Sequence, residues 1–189
     1  GLDSASFLEN IENHSSINAL LYLLWFTGAS LGWILLRNLN SKSQKCLIII
    51  ASLLAIVSTP SNGDIFHYLT SSRTFSYYGK NPYLFSLYDV NPNDTFLGSS
   101  IWESLVTPYG PLITLLQLPL GYASHLSESP LIPIYIFKLE LLFFYYINIY
   151  LLSKITEELQ FSKNQRKQSL WLYAASPLIL FESLYAGHN

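Results

Sequence analysis

Apolar residues in this chain gather into blocks, and polar stretches of very unequal length separate them. Ile17 to Leu36 is about twenty mostly apolar residues. A helix rising 1.5 Å per residue needs about that length to cross ~30 Å of hydrocarbon. Cys46 to Pro60 forms a second, shorter run, apolar to Val57 and closed by Ser58, Thr59 and Pro60. Leu131 to Ser153 and Leu170 to Tyr185 complete the set. The pattern predicts an all-α, polytopic helical membrane protein with spans over 17–36, 46–60, 131–153 and 170–185. Gly110 to Leu126 is also apolar, but it is shorter and Pro119 and Gly121 interrupt it, so a re-entrant or interfacial helix is expected there. The remaining long segment, 61–109, is rich in Tyr, Asn and Asp. It is too polar to span and too aromatic for a disordered linker, so it is read as an outer loop that carries the function.

Charge gives this arrangement a direction. Seven of the ten Lys and Arg residues fall in Arg37 to Lys45 and in Lys154 to Lys167. Basic residues collect in short cytoplasmic loops, so both segments are expected on the cytoplasmic side. Segment 61–109 then faces outward, where Asp64, Asp89, Asp94 and Glu103 outnumber Arg73 and Lys80. With Leu131 starting outside, 110–126 begins and ends outside. The other arrangement, in which 110–126 crosses, runs against the charge bias.

Half of the residues are hydrophobic, 12% are charged and mean hydropathy is +0.29, which sets the chain apart from ordinary soluble domains. A net charge of −2 gives no reason to expect nucleic acid. Cys46 stands alone, so no intrachain disulfide is expected, and no His/Cys or carboxylate cluster calls for a metal or cofactor. The first residue is Gly and Met is absent, so residues 1–189 are read as a piece of a longer protein.

Asp64 follows the good cap residues Ser61 and Asn62 and opens a helical run, Ile65 to Tyr77. A carboxylate in a first helical turn is a natural dipole partner. At an outer membrane surface it is also placed to deprotonate an attacking hydroxyl. Asp64, His67, Tyr68 and Ser71 share one face at spacings of three and four, which lines a pocket wall with polar groups. Arg73 and Lys80 are candidates for pairing with a phosphate. Gly79-Lys80-Asn81-Pro82-Tyr83 reads as a turn, and Thr107 to Leu112 frames Tyr109 with two prolines at the mouth of an apolar helix. Among charges inside predicted spans, Lys138 is expected to snorkel, and Glu182 is the more suggestive one. His125 is expected at the interface. Asn13 and Asn93 each begin a glycosylation triplet, which matters only in a secretory pathway.

The order of these pieces resembles bacterial polyprenol-phosphomannose-dependent mannosyltransferases, membrane glycosyltransferases of the GT-C class. The carrying residues are Asp64 after a span, Gly79 to Tyr83, Thr107 to Leu112, Ser176-Pro177 and Gly187-His188-Asn189. Ser176 departs from the family's Asn. The resemblance implies a GT-C-like fold with short helices in the first large outer loop, of which residues 1–189 are the N-terminal part. It implies a hexosyltransferase, with mannose as the sugar, taking a polyprenyl-phosphate donor to a glycan or glycolipid acceptor with inversion. Asp64 inherits the general base role. His67, Tyr68, Arg73, Lys80, Asn81, Tyr83, Tyr109, Glu182, His188 and Asn189 are the implied substrate-binding residues. Multi-pass insertion in a bacterial inner or plasma membrane, with the site outside, follows from the same likeness. A membrane transporter or a non-catalytic assembly subunit is the competing expectation. A transporter predicts repeated halves, and none is visible.

Overall fold

A computed structural model of the chain describes residues 24, 27–57, 64–98, 102 and 104–186. All regular structure among these residues is helical, in agreement with the all-α expectation. In chain order, α1 is Thr27–Leu36 and α2 Ser41–Val57. α3 covers Asp64–Ser76 and α4 Leu87–Val90, both within segment 61–109. α5 is Pro111–Leu116, α6 Leu118–Ala123 and α7 Leu131–Glu158. α8 is Lys163–Ala174 and α9 Pro177–Ile179, which runs into a π-helical turn, Leu180–Ala186.

Among the described residues, one helix is long and apolar enough to cross a membrane, the 28-residue α7. Several boundaries differ from the apolar runs, each for a local reason. α2 starts at Ser41, within the basic segment, where Asn40 accepts from the Ser43 N–H through its side chain at 2.9 Å. α7 continues five residues past Ser153 to Glu158, so Lys154 to Lys167 is mostly helix rather than loop. α8 begins at Lys163 because Ser162 and Gln165 form a reciprocal capping box. The run 170–185 is therefore not one helix: α8 enters it from the polar side and stops at Ala174. Pro177 restarts the chain after Ser176, whose ψ of 121° is extended, as the residue before a proline prefers.

Residues 110–126 likewise form two six-residue helices joined at Gln117. Pro119 lacks the N–H that a continuous helix would need and sits instead in the first turn of α6. α6 packs on α3, and Gly121 permits the approach: a Cβ there would lie 2.6 Å from the Ser72 carbonyl oxygen.

Two apolar clusters hold these elements. One joins Ile65, Tyr68 and Leu69 of α3 to Leu87, Phe96, Leu120, Ile134 and Phe137. The other joins Ile56, Tyr145, Ala174 and Leu184. Lys138 corrects an expectation: it does not snorkel but is wholly buried, donating to the Ala55 carbonyl at 3.2 Å. α1 and α8 clasp through paired tryptophans, Trp33 Nε1 donating to the Trp171 carbonyl at 3.3 Å and Trp171 Nε1 to the Trp33 carbonyl at 3.2 Å. Lys167 Nζ donates to the Leu39 carbonyl at 2.8 Å, which brings the two basic segments to the same end.

Candidate active site

α3 is buried around nearly its whole circumference although its sequence, DIFHYLTSSRTFS, is half polar. Its hydroxyls make this tolerable by bonding back to their own helix. Thr70 donates to the His67 carbonyl at 3.0 Å, Ser72 to Leu69 at 3.1 Å, Thr74 to Thr70 at 2.9 Å and Ser76 to Ser72 at 2.8 Å. Asp64 and His67 lie in the first turns of this helix.

Asp64 is half-buried, while His67 and Tyr68 are buried. Tyr109 arrives from the Thr107 to Leu112 turn and meets Tyr68 edge-on at 4.9 Å, with His67 6.0 Å away. Tyr68 in turn meets Phe137 of α7 at 5.9 Å. Burial lowers the His67 pKa, against the Asp64 charge and a hydrogen bond to the Trp102 backbone, which raise it. A bond that favours the protonated ring has the imidazole N–H as donor. Nδ1 is buried with no partner among the described residues. Burial also raises the Tyr109 pKa, helped by the Asp64 charge and opposed by a hydrogen bond with Tyr68. One carboxylate therefore acts on an imidazole and a phenol from different elements. A half-buried carboxylate within electrostatic reach of an imidazole and a phenol is a group that can accept a proton from an incoming hydroxyl.

The two turn motifs are joined. Thr107 N–H donates to the Pro82 carbonyl at 2.9 Å, and the Tyr83 hydroxyl meets Thr114 Oγ1 at 2.8 Å. Asn81 is exposed and its side chain accepts from the Tyr83 N–H at 2.9 Å, shaping the turn. Gly79, at φ +64°, turns the chain so that the Lys80 N–H reaches the Thr74 carbonyl at 3.0 Å, leaving the Lys80 residue exposed.

Arg73 is a correction. Its Nε donates to both carboxylate oxygens of Asp94, at 3.1 and 2.9 Å, and its Nη1 to the Ser124 carbonyl and hydroxyl, each at 3.0 Å. The guanidinium lies 4.1 Å from the Tyr77 ring centroid and 4.2 Å from that of Phe96. Tyr78 adds a hydrogen bond to Asp94, and its own hydroxyl accepts from Asn91. With side chains only 6% and 1% exposed, Arg73 and Asp94 neutralise each other, and the expected phosphate contact does not fit Arg73. Glu182 lies in the π-helical turn, and His188 and Asn189 fall outside the described residues. The His125 ring lies tilted beside that of Tyr77, 4.6 Å between centroids, and the residue is exposed.

Two contributors carried no sequence signal as site residues: Trp102, which bonds His67 through its backbone, and Asp94, whose neutralisation of Arg73 spans 21 residues. No curated protein and no solved structure matches the chain. The family described as alpha-(1->6)-mannopyranosyltransferase, N-terminal domain, matches residues 3–189, and with nearly its whole length covered the chain belongs to that mannosyltransferase family.

Proposed function

We propose that this chain is the N-terminal part of a multi-pass membrane mannosyltransferase that uses a polyprenyl-phosphate mannose donor on the extracytoplasmic side. The observation that carries the reading is the convergence of Asp64 with His67, Tyr68 and Tyr109, drawn from two separate motifs, in a chain of a mannosyltransferase family. Asp64 takes the proton of an acceptor hydroxyl on a glycan or glycolipid as that oxygen attacks the anomeric carbon. The bond from that carbon to the phosphate oxygen breaks, and the polyprenyl phosphate leaves with the electron pair. The single displacement inverts configuration, through a transition state of oxocarbenium-ion character. Lys80 and His188 are the proposed partners of the departing phosphate, since Arg73 is held by Asp94. Asn81 and Tyr83 build the turn before this site, and Glu182 and Asn189 are proposed as further substrate contacts. α7, with the basic segments gathered at one end, supports membrane insertion with that end in the cytoplasm.

The test is Asp64→Asn in the full-length enzyme, assayed for transfer from a polyprenyl-phosphate mannose. Asn caps a helix as well as Asp, so stability changes by no more than about 1 kcal/mol. Loss of the base is expected to lower turnover by about 10²-fold or more. A fully active variant would return Asp64 to a helix-start role.

A further inference from the structure

Away from Asp64, a small cavity of about 50 Å³ lies between α5 and α7. Its walls are apolar, with Ile113 and Leu116 on one side and Phe137 and Phe144 on the other, except for Gln117 and Glu140. Gln117 is 1% exposed, and neither its Nε2 nor its Oε1 has a hydrogen-bond partner among the described residues. Glu140 Oε2 is buried and equally unpartnered. Three polar atoms without partners among the described residues, on two side chains that line one apolar cavity, are not a packing requirement, because Leu at both positions would fill it without them.

We propose that this cavity binds the diol end of an amphiphile, such as the glycerol group of a monoacylglycerol. The amide offers donors at Nε2 and an acceptor at Oε1, and Glu140 Oε2 adds a second acceptor. Two adjacent hydroxyls, each able to donate and accept, satisfy all three atoms. A phosphate brings acceptors only and would sit against the carboxylate; an ammonium brings donors only and leaves Nε2 unmet; a hydrocarbon tail meets none. Size agrees, since about 50 Å³ exceeds the ~10–15 Å³ that a single water needs and leaves room for a diol. Leu112, Leu115 and Phe143, close in sequence to the lining residues, are exposed and apolar and are available to the apolar remainder of the ligand. Phe137 connects the cavity to the site described above, because its ring also packs against Tyr68.

The experiment is native mass spectrometry of the full-length protein in detergent micelles, scored by retention of monoolein, methyl oleate or oleylamine. Monoolein is expected to be retained about tenfold more strongly than methyl oleate, which has the same chain without the diol. The combined Gln117→Leu and Glu140→Leu variant is expected to abolish that preference, and Glu140→Gln, which keeps the shape and hydrogen-bonding capacity, to preserve it. The wild-type comparison decides by itself if the double variant does not fold. Equal retention of monoolein and methyl oleate overturns the proposal, as does a preference that survives the double substitution. Preferential retention of oleylamine, lost in Glu140→Gln, would show a cation site instead. A structure of the full chain with monoolein present but only water on Gln117 and Glu140 would also overturn it.

Discussion

Asp64 and His67 lie one helical turn apart, yet burial treats them differently: Asp64 keeps partial solvent access, whereas His67 is 3% exposed. Because burial holds the His67 pKa below 6.5, the unfolded chain binds a proton there more readily than the folded one. Its stabilising contribution is therefore complete above pH 6.5 and is lost as pH falls through the lowered folded value. Thermal unfolding of the full-length protein across pH 5 to 8 should show this acid slope flattened in His67→Asn, and an unchanged slope would remove the argument. Arg73 makes a contrasting case. Removing one member of a buried ion pair leaves the other charge uncompensated, so Arg73→Ala should cost about 3–5 kcal/mol in a denaturant titration. Were Arg73 a phosphate contact, the same change would raise KM for the donor with stability intact.

The contact between α3 and α6 depends on a single missing methyl group. Ala is the better helix former by ~1 kcal/mol, but a Cβ at position 121 would press on the Ser72 backbone at 2.6 Å. Overpacking costs ~1–3 kcal/mol, so Gly121→Ala should lower the unfolding midpoint, and an unchanged or raised midpoint would show that α6 can shift. Much at this scale was legible in the sequence. The apolar run from Leu131 marks α7, and Pro119 marks the division of residues 110–126. The end of the chain was less so: a long apolar tract conceals the stop at Ala174, and hydropathy does not register a capping box such as Ser162 with Gln165. At the site, spacing along α3 reveals which residues share a face. It cannot reveal that Asp94, 21 residues on, meets Arg73, or that Trp102 meets His67, because both meetings depend on how the loop returns.

At the scale of the whole molecule, the basic segments and the Asp64 region make separate demands. Lys167 bonded to Leu39 keeps the positive residues at one end, among polar groups and carbonyls that favour water or lipid headgroups. Asp64, His67 and Tyr109 come together where α3 meets the turn before α5, and the proposed function requires that place to face the outer leaflet. If both demands hold, the ends of α7 lie on opposite sides of the bilayer, because α7 starts near α6 and finishes beside α8. Single cysteines test this in a Cys46→Ser background of the full-length protein, since Cys46 is itself exposed. Lys80→Cys and Lys163→Cys both replace exposed residues and lie outside the buried clusters. In intact cells an impermeant thiol reagent should label position 80, whereas position 163 should react only after the membrane is opened. Labelling of both positions from the outside would place the basic segments and the Asp64 region on one face, and the proposed topology would fall.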